Sequence, residues 1–274
     1  MTEKAILFDS STCIACRSCQ TACKRWNDLE AEETQCCGTY ENPPSLSGRT
    51  WNKLGFTDAV VNGRVKWLYT MHMCMHCKEA SCMNVCPFDA IIRTDEGFVH
   101  IDREACVNCG VCVPACPFGA VHLDENIGSA VKCEGCTSVG RNRLTTEDSS
   151  KPAWVDKPAC VMGCPTESLK YGDLDTLLAE GKTLVSELQS EGYNNACLYG
   201  ETELGGLHVL SVLEDSPSIY GLPESPQVVT AGISNDWLMD NAARIAAPAA
   251  LASLAFWAFC KRKAKLEAER GSKA

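Results

Sequence analysis

The sequence predicts an α+β chain folded around metal centres, and three observations predict it. Cysteines recur in four groups of four between residues 13 and 164, and three of the groups end in Cys-Pro. Hairpin signals lie beside and between these groups and supply the β part. One long stretch with apolar residues at helical spacing follows the last group and supplies a helix.

The cysteine groups decide the chemistry. The chain has 274 residues and 20 cysteines, far above ordinary usage, and its length fits one or two domains with a real core. The first group is Cys13, Cys16, Cys19 and Cys23 in CIACRSCQTAC. The second is Cys74, Cys77, Cys82 and Cys86 in CMHCKEASCMNVCP. The third is Cys106, Cys109, Cys112 and Cys116 in CVNCGVCVPACP. The fourth is split: Cys133 and Cys136 come from CEGC, Cys160 and Cys164 from CVMGCP. This is an internal repeat.

A disulfide framework is disfavoured, because such scaffolds are usually small chains without a core. The start MTEKAILFDSSTC also lacks the basic and apolar regions of an ordinary secretory signal. Zinc is the competing metal, but zinc sites pair two Cys-x2-Cys elements across a loop and close with four ligands. Two complete Cys-x2-Cys-x2-Cys-x3-Cys runs read differently. Three cysteines at two-residue intervals can curl around one corner of a cubane cluster, with backbone N–H groups turned toward its sulfurs. The fourth leaves the loop pointing away, and in two-cluster bacterial ferredoxins it binds the other cluster. The proline that follows fixes φ and removes a donor where the chain turns. The sixteen thiolates of the four groups suffice for four [4Fe–4S] clusters. Cys36, Cys37, Cys197 and Cys260 remain, read as free or small buried thiols.

The rest of the chain fits a ferredoxin scaffold. VVNGRVKW (60–67) carries Asn-Gly between apolar residues, a strong hairpin signal. IIRTDEGFVHID (91–102) and AVHLDENIGSAVKC (120–133) read as two further hairpins. ENPPSLSG (41–48) reads as a loop, and the polar stretch between Cys136 and Cys160 as a surface loop available to a partner. In DLDTLLAEGKTLVSELQSEG, the residues Leu174, Leu177, Leu178, Leu184, Val185 and Leu188 follow helical spacing, with Asp173 as N-cap and Gly192 as stop. That helix should pack on the cluster domain, with a short strand, LHVLSVL (207–213), after it.

IAAPAALASLAFWAFC (245–260) holds sixteen uncharged residues and runs directly into KRKAK. A spanning helix needs about 20 apolar residues, with a lower limit near 17. The sequence therefore predicts a C-terminal helix that crosses the membrane with its basic flank in the cytoplasm. The alternative is a helix packed on a partner or lying at the membrane interface.

Charge and motifs exclude other functions. The net charge is −10, and no basic stripe is available to hold phosphates, so nucleic acid is not an expected partner. There is no Gly-rich phosphate loop, no His-Glu-x-x-His and no nucleophile with its base, so no catalytic residue is assigned. His72 and His76 flank Cys74 and are read as groups around a cluster or on the surface rather than as proton relays. Trp26, Trp67 and Trp154 are read as packing aromatics.

Beyond the cysteines, several segments carry a resemblance: DSSTCIACRSCQTACKRWND, GTYENPPSLSGRTW, WLYTMHMCMHC, PACVMGCPTESLKYGD and GGLHVLSVLEDSPSIYGLPESP. With them the chain resembles the four-cluster, ferredoxin-type electron-transfer subunits of molybdopterin or tungstopterin oxidoreductases. It is most similar to the β (iron–sulfur) subunit of membrane-bound formate dehydrogenase. The resemblance implies two nested bacterial-type 2[4Fe–4S] ferredoxin modules within residues 1–170. The outer module is 1–30 and 125–170, the inner one 70–124. A packing extension at 171–236, a helix at 237–260 and a basic tail at 261–274 follow. The implied ligand sets are Cys74, Cys77 and Cys82 with Cys116, and Cys106, Cys109 and Cys112 with Cys86, in the inner module. In the outer module they are Cys13, Cys16 and Cys19 with Cys164, and Cys133, Cys136 and Cys160 with Cys23. The 23 residues between Cys136 and Cys160 form a longer gap than the resemblance leads one to expect.

The implied function is a wire without a catalytic site of its own. It relays single electrons between a molybdopterin or tungstopterin subunit, formate dehydrogenase-like, and a membrane acceptor such as a cytochrome b. The same wire could serve a hydrogenase or a terminal reductase. A free, soluble polyferredoxin shuttle is the third class, and the long extension and C-terminal helix count against it. The cluster domain is expected on the outer side of the membrane, co-exported with a partner.

Overall fold

The computed structural model describes residues 2–36, 38–61, 63–136 and 157–229. The chain opens with β1 (Lys4–Asp9), whose KAILFD sequence is buried along nearly its whole length. The first cysteine loop leads into α1 (Ser18–Trp26). A long hairpin follows, β2 (Asn52–Val61) and β3 (Arg64–Met73), paired from Asn52 opposite Met73 to Val61 opposite Arg64. The Asn-Gly signal therefore marks a hairpin, but one whose strands extend well beyond the residues around the turn.

Next come α2 (Ser81–Asn84), the hairpin β4 (Ile91–Arg93) and β5 (Val99–Ile101), α3 (Cys112–Ala115), and the hairpin β6 (His122–Asp124) and β7 (Ser129–Val131). Both hairpins fall where the alternation predicted them. After the gap in the described residues come α4 (Ala159–Met162), β8 (Leu169–Asp173), α5 (Leu174–Ser190), β9 (Cys197–Tyr199) and β10 (Val209–Leu213).

Four strands form a sheet in the order β8-β1-β10-β9. β1 runs parallel to β10 and antiparallel to β8, while β9 is antiparallel to β10. Side chains alternate across a strand, and β1 shows the consequence. Ala5 and Leu7 face α5, joining Leu177, Leu188, Leu210 and Val212 in one apolar cluster. Ile6 and Phe8 face the other way, into a core shared with Cys19, Cys23, Cys133 and Cys160. Each fully buried Leu of the α5 layer contributes about 1.5–3 kcal/mol. The sheet is thus a wall with a helix on one face and cysteine loops on the other.

Helix α5 begins after Asp173, as its sequence predicts, but the carboxylate does not cap it. The Asp173 side chain instead accepts from Lys4 Nζ at 2.7 Å, tying the helix start to β1. Gly192 adopts φ +97° two residues beyond the helix, the left-handed value that suits glycine at a helix end. The packing extension does more than pack, because its β10 is an inner strand of the sheet.

One reading of an aromatic residue changes. Trp67 is 48% exposed on β3, its ring 5.0 Å from Tyr40, so it is not a core residue. Trp154 lies outside the described residues, as do residues 137–156 of the predicted loop between Cys136 and Cys160 and the C-terminal helix at 237–260 with its tail. Among the described residues no helix is long and apolar enough to cross a membrane.

Candidate functional site

All four cysteine loops share one unusual backbone position. Two residues after the first cysteine of every group, φ is positive: Ala15 at 56°, His76 at 48°, Asn108 at 57° and Gly135 at 64°. Only one of the four is glycine, although the left-handed region disfavours side chains. The turn directs amides at sulfur. Ala15 N–H donates to Cys13 Sγ and Gly135 N–H to Cys133 Sγ, each at 3.5 Å. Ala120 N–H reaches Cys116 Sγ at 3.4 Å and Ala130 N–H reaches Cys106 Sγ at 3.5 Å. Donors aimed at sulfur favour the thiolate form. The third cysteine of each group then enters a helix, Cys19 in α1, Cys82 in α2, Cys112 in α3 and Cys160 in α4, and is buried there.

The four groups do not close on themselves. Cys164 lines a cavity with Cys13, Cys16 and Cys19, walled by Phe8, Leu54 and Leu169. Cys86 lines a second cavity with Cys106, Cys109 and Cys112, walled by Ile91 and Ile101. The other two sets are identified by which thiols face one another. Burial, then repulsion from Cys74, Cys116 and Cys82, pushes the Cys77 thiol up. Burial, then repulsion from Cys136, Cys133, Cys23 and Cys19, pushes the Cys160 thiol well up. The structure therefore brings together the sixteen cysteines of the sequence pattern in four mixed sets.

The sets follow one another in a row. Cys19, pushed up to about 12 by burial and by Cys13, belongs to the first set, yet it also faces Cys23 and Cys160. Cys133 of the next set faces Cys74 of the third. Cys112, pushed up to about 12 by burial and then by Cys82, joins the third set to the last. At the two ends of the row one cysteine is exposed, Cys16 and Cys109; in the two middle sets none is. Cys106 and Cys164 differ from the thiols that burial leaves raised. Burial pushes each up, but hydrogen bonds outweigh it, from Ser129, Ala130 and Asn108 for Cys106 and from Ser168, Leu169 and Thr166 for Cys164, so both are lowered.

This donor set fits iron–sulfur clusters. All 18 described cysteines are free thiols. Crowded, buried thiolates repel one another unless a cationic centre neutralises them, and coordination deprotonates a thiol outright. A single zinc ion would need four donors converging at about 2.3 Å. Among the described residues no three Cys, His, Asp or Glu side chains are grouped to hold a single ion. The cysteines of the two end sets instead surround cavities.

Other sequence-predicted residues fall outside these sets. Cys36 is exposed and Cys197 half-buried in β9, while Cys37 and Cys260 lie outside the described residues. His76 is fully buried and its Nδ1 accepts from Val99 N–H at 3.0 Å, so it braces the inner hairpin against its loop. His72 is held down at about 4 by burial and then by Lys53. The sequence reading missed Lys132, which is fully buried beside Cys133. The signal was a lone lysine ending an apolar strand, SAVKC, directly before a group cysteine.

Comparison with known proteins points to the same cofactor. Residues 65–174 match the family model of a 4Fe-4S dicluster domain and residues 10–26 that of a 4Fe-4S binding domain. The chain is similar to the iron-sulfur subunit of the nitrate-inducible formate dehydrogenase of Escherichia coli (strain K12), 36% identical, covering 84% of this chain and 75% of that one. It is also similar to the formate dehydrogenase iron-sulfur subunit of Haemophilus influenzae, 36% identical over 82% and 70% of the two chains. One subunit of the anaerobic dimethyl sulfoxide reductase of Escherichia coli (strain K12) is 31% identical over 64% of this chain and 76% of its own length.

Proposed function

The chain belongs to the family of formate dehydrogenase iron–sulfur subunits, and we propose that within it this protein wires a formate-oxidising catalytic subunit to a membrane acceptor. It is an electron-transfer subunit of a molybdoenzyme complex, carries [4Fe–4S] clusters and is not the catalytic subunit. The observation that carries the reading is the row of four cysteine sets, open at both ends through Cys16 and Cys109 and closed in the middle. We assign one cluster to each set. Such a cluster takes up and releases single electrons. The residues around it fix its place, exclude water and aim N–H groups at its sulfurs.

The formate dehydrogenase type is favoured by extent. Similarity to those subunits reaches 84% of this chain, against 64% for the dimethyl sulfoxide reductase subunit. The second reading, a terminal reductase partner, rests on that shorter similarity. The membrane acceptor, a cytochrome b in type, is supported by the uncharged run 245–260 and the basic residues behind it. On this reading the tail stays cytoplasmic, and the cluster domain lies outside, exported with its partner.

The experiment is gentle solubilisation of membranes, purification through this chain, and mass spectrometry of what accompanies it. A large pterin-binding subunit with formate-dependent dye reduction, and about sixteen irons in this chain, is the expected result. A terminal reductase or a nickel–iron hydrogenase as companion would overturn the formate assignment and leave the wire. Zinc without labile sulfide would overturn the wire.

A further inference from the structure

Lys132 is the one lysine whose side chain is wholly buried among the described residues, with 0% of its surface exposed. It follows β7, and the β6–β7 hairpin delivers it to the middle of the cysteine row. Its Nζ donates to the carbonyls of Val99 and, at 2.9 Å, Cys133. Among the described residues no carboxylate lies within ion-pair distance of it, and Glu134, the nearest in sequence, stands 3.7 Å from Arg103. Burying an ammonium is costly unless something nearby is negative. What faces it is chiefly sulfur: Cys74 and Cys82 from the second cysteine loop, Cys133 from its own segment, and Cys116 from the loop after α3, with the Glu134 carboxylate as a weaker negative charge beyond ion-pair distance. His76 and His100 face it as well, both held neutral chiefly by burial. Three of these cysteines, Cys74, Cys82 and Cys116, belong to one set.

We propose that Lys132 sets the reduction potential of one centre in the row, the cluster of Cys74, Cys77, Cys82 and Cys116, by holding a fixed positive charge against it. The proposal rests on the assignment of one cluster to each cysteine set. Four thiolates outweigh the positive core, so the ligated centre is an anion, and it becomes more negative when it accepts an electron from a reduced neighbour. That neighbour is oxidised in the same step; no bond forms or breaks and no proton moves. A buried positive charge attracts the reduced form more than the oxidised one, and in a site of low dielectric the difference is large. Lys132 therefore makes this interior position a resting place for the electron. The end set of Cys13, Cys16, Cys19 and Cys164, whose cysteines Lys132 does not face, keeps its potential.

The test uses the purified complex and potentiometric titration followed by electron paramagnetic resonance, after the wild-type iron and sulfide content has been measured. Lys132→Gln keeps an N–H donor for the two carbonyls and removes the charge; Lys132→Arg keeps the charge. In the glutamine variant, one signal, the same one that Cys77→Ser abolishes, should become harder to reduce by at least tenfold in its equilibrium, 59 mV for one electron. In the arginine variant it should stay within that limit. Full iron in the glutamine variant with every midpoint unmoved overturns the proposal, as does an equal shift of all four. Iron lost from either variant assigns the side chain to building the site, which also overturns it. A wild-type chain without clusters would instead refute the ligand assignment beneath it, and the first measurement distinguishes the two failures.

Discussion

Replacing Cys86 by alanine tests the mixed sets directly. Cys86 follows α2 and stands four residues beyond Cys82, so a self-contained group would use it beside Cys74, Cys77 and Cys82. In the structure it lines the cavity of Cys106, Cys109 and Cys112 instead, while Cys82 faces Cys74 and Cys116. One cluster of four irons loses one of its four ligands, so iron should fall from about sixteen to about twelve per chain, with sulfide in step. The thiol is half-buried at the cavity wall, and its removal should leave the fold intact, since cavity costs scale with the volume removed. The assay is iron and sulfide content together with the resonance spectrum that disappears, compared with those lost in Cys109→Ser and in Cys77→Ser. Cys86→Ala should lose the Cys109 spectrum. Loss of the Cys77 spectrum would refute the crossing of the sets, and with it the nesting of the modules.

Two other perturbations bear on the scaffold. Gly97 sits in the β4–β5 turn at φ +96°, and a Cβ there would stand 2.1 Å from His208 Nε2. Gly97→Ala combines left-handed strain with a clash against a buried ring, so chemical unfolding of the loaded protein should show a loss of about 2–4 kcal/mol; an unchanged midpoint would mean the turn is not held where the structure has it. Acid should destabilise the fold through its histidines. His208 is lowered by burial first, against the raising effects of the His76 carbonyl and Glu3, and His122 is lowered by burial too. With folded values below the ordinary 6.5, the unfolded chain binds more protons as pH falls through that region. Their contribution is full above about pH 6.5 and is lost below it. Unfolding midpoints at pH 7.5 and 5.5 should differ, and His208→Gln should narrow the difference; an equal difference in the variant would remove His208 from the account.

Much of the site was legible because its chemistry is local in sequence. Spacings of two to four residues mark most of the cysteines whatever the fold does, and the hairpins at 91–102 and 120–133 are short enough for alternation to reveal them. The same is true of α5, whose leucines need only one face. What the sequence hid is long-range. KAILFD reads as one more apolar stretch, and nothing local says that it will lie between residues 169–173 and 209–213. Left-handed Ala15 and His76 are hidden from propensity, because the loop geometry overrides a local preference worth about 1–2 kcal/mol. Lys132 was hidden for the opposite reason: a lysine is ordinarily read as surface, and only the assembled row of cysteines makes a buried one intelligible.

The extension after residue 170 also acquires a role that packing alone does not describe. Leu207 forms a β-bridge with Cys77, and the amides of Lys78 and Glu79 donate to the carbonyls of Gly206 and Leu204 at 2.8 and 2.9 Å. His208 Nδ1 lies 2.9 Å from the His76 carbonyl, and the His208 amide donates to the Met75 carbonyl at 3.2 Å. From the other side Arg93 donates to the carbonyls of Cys77 and Lys78 at 2.7 and 2.8 Å. The second cysteine loop, with its strained His76, is therefore clamped along its backbone by a segment more than a hundred residues later in sequence, and that segment continues into β10, an inner strand of the sheet. A loop in a left-handed conformation persists only where its surroundings over-determine it. An electron relay needs that rigidity, because a centre whose ligands shift with its charge must reorganise at every transfer. The extension supplies it at the interior set that Lys132 faces, where the electron has neighbours on both sides and no access to solvent through an exposed cysteine.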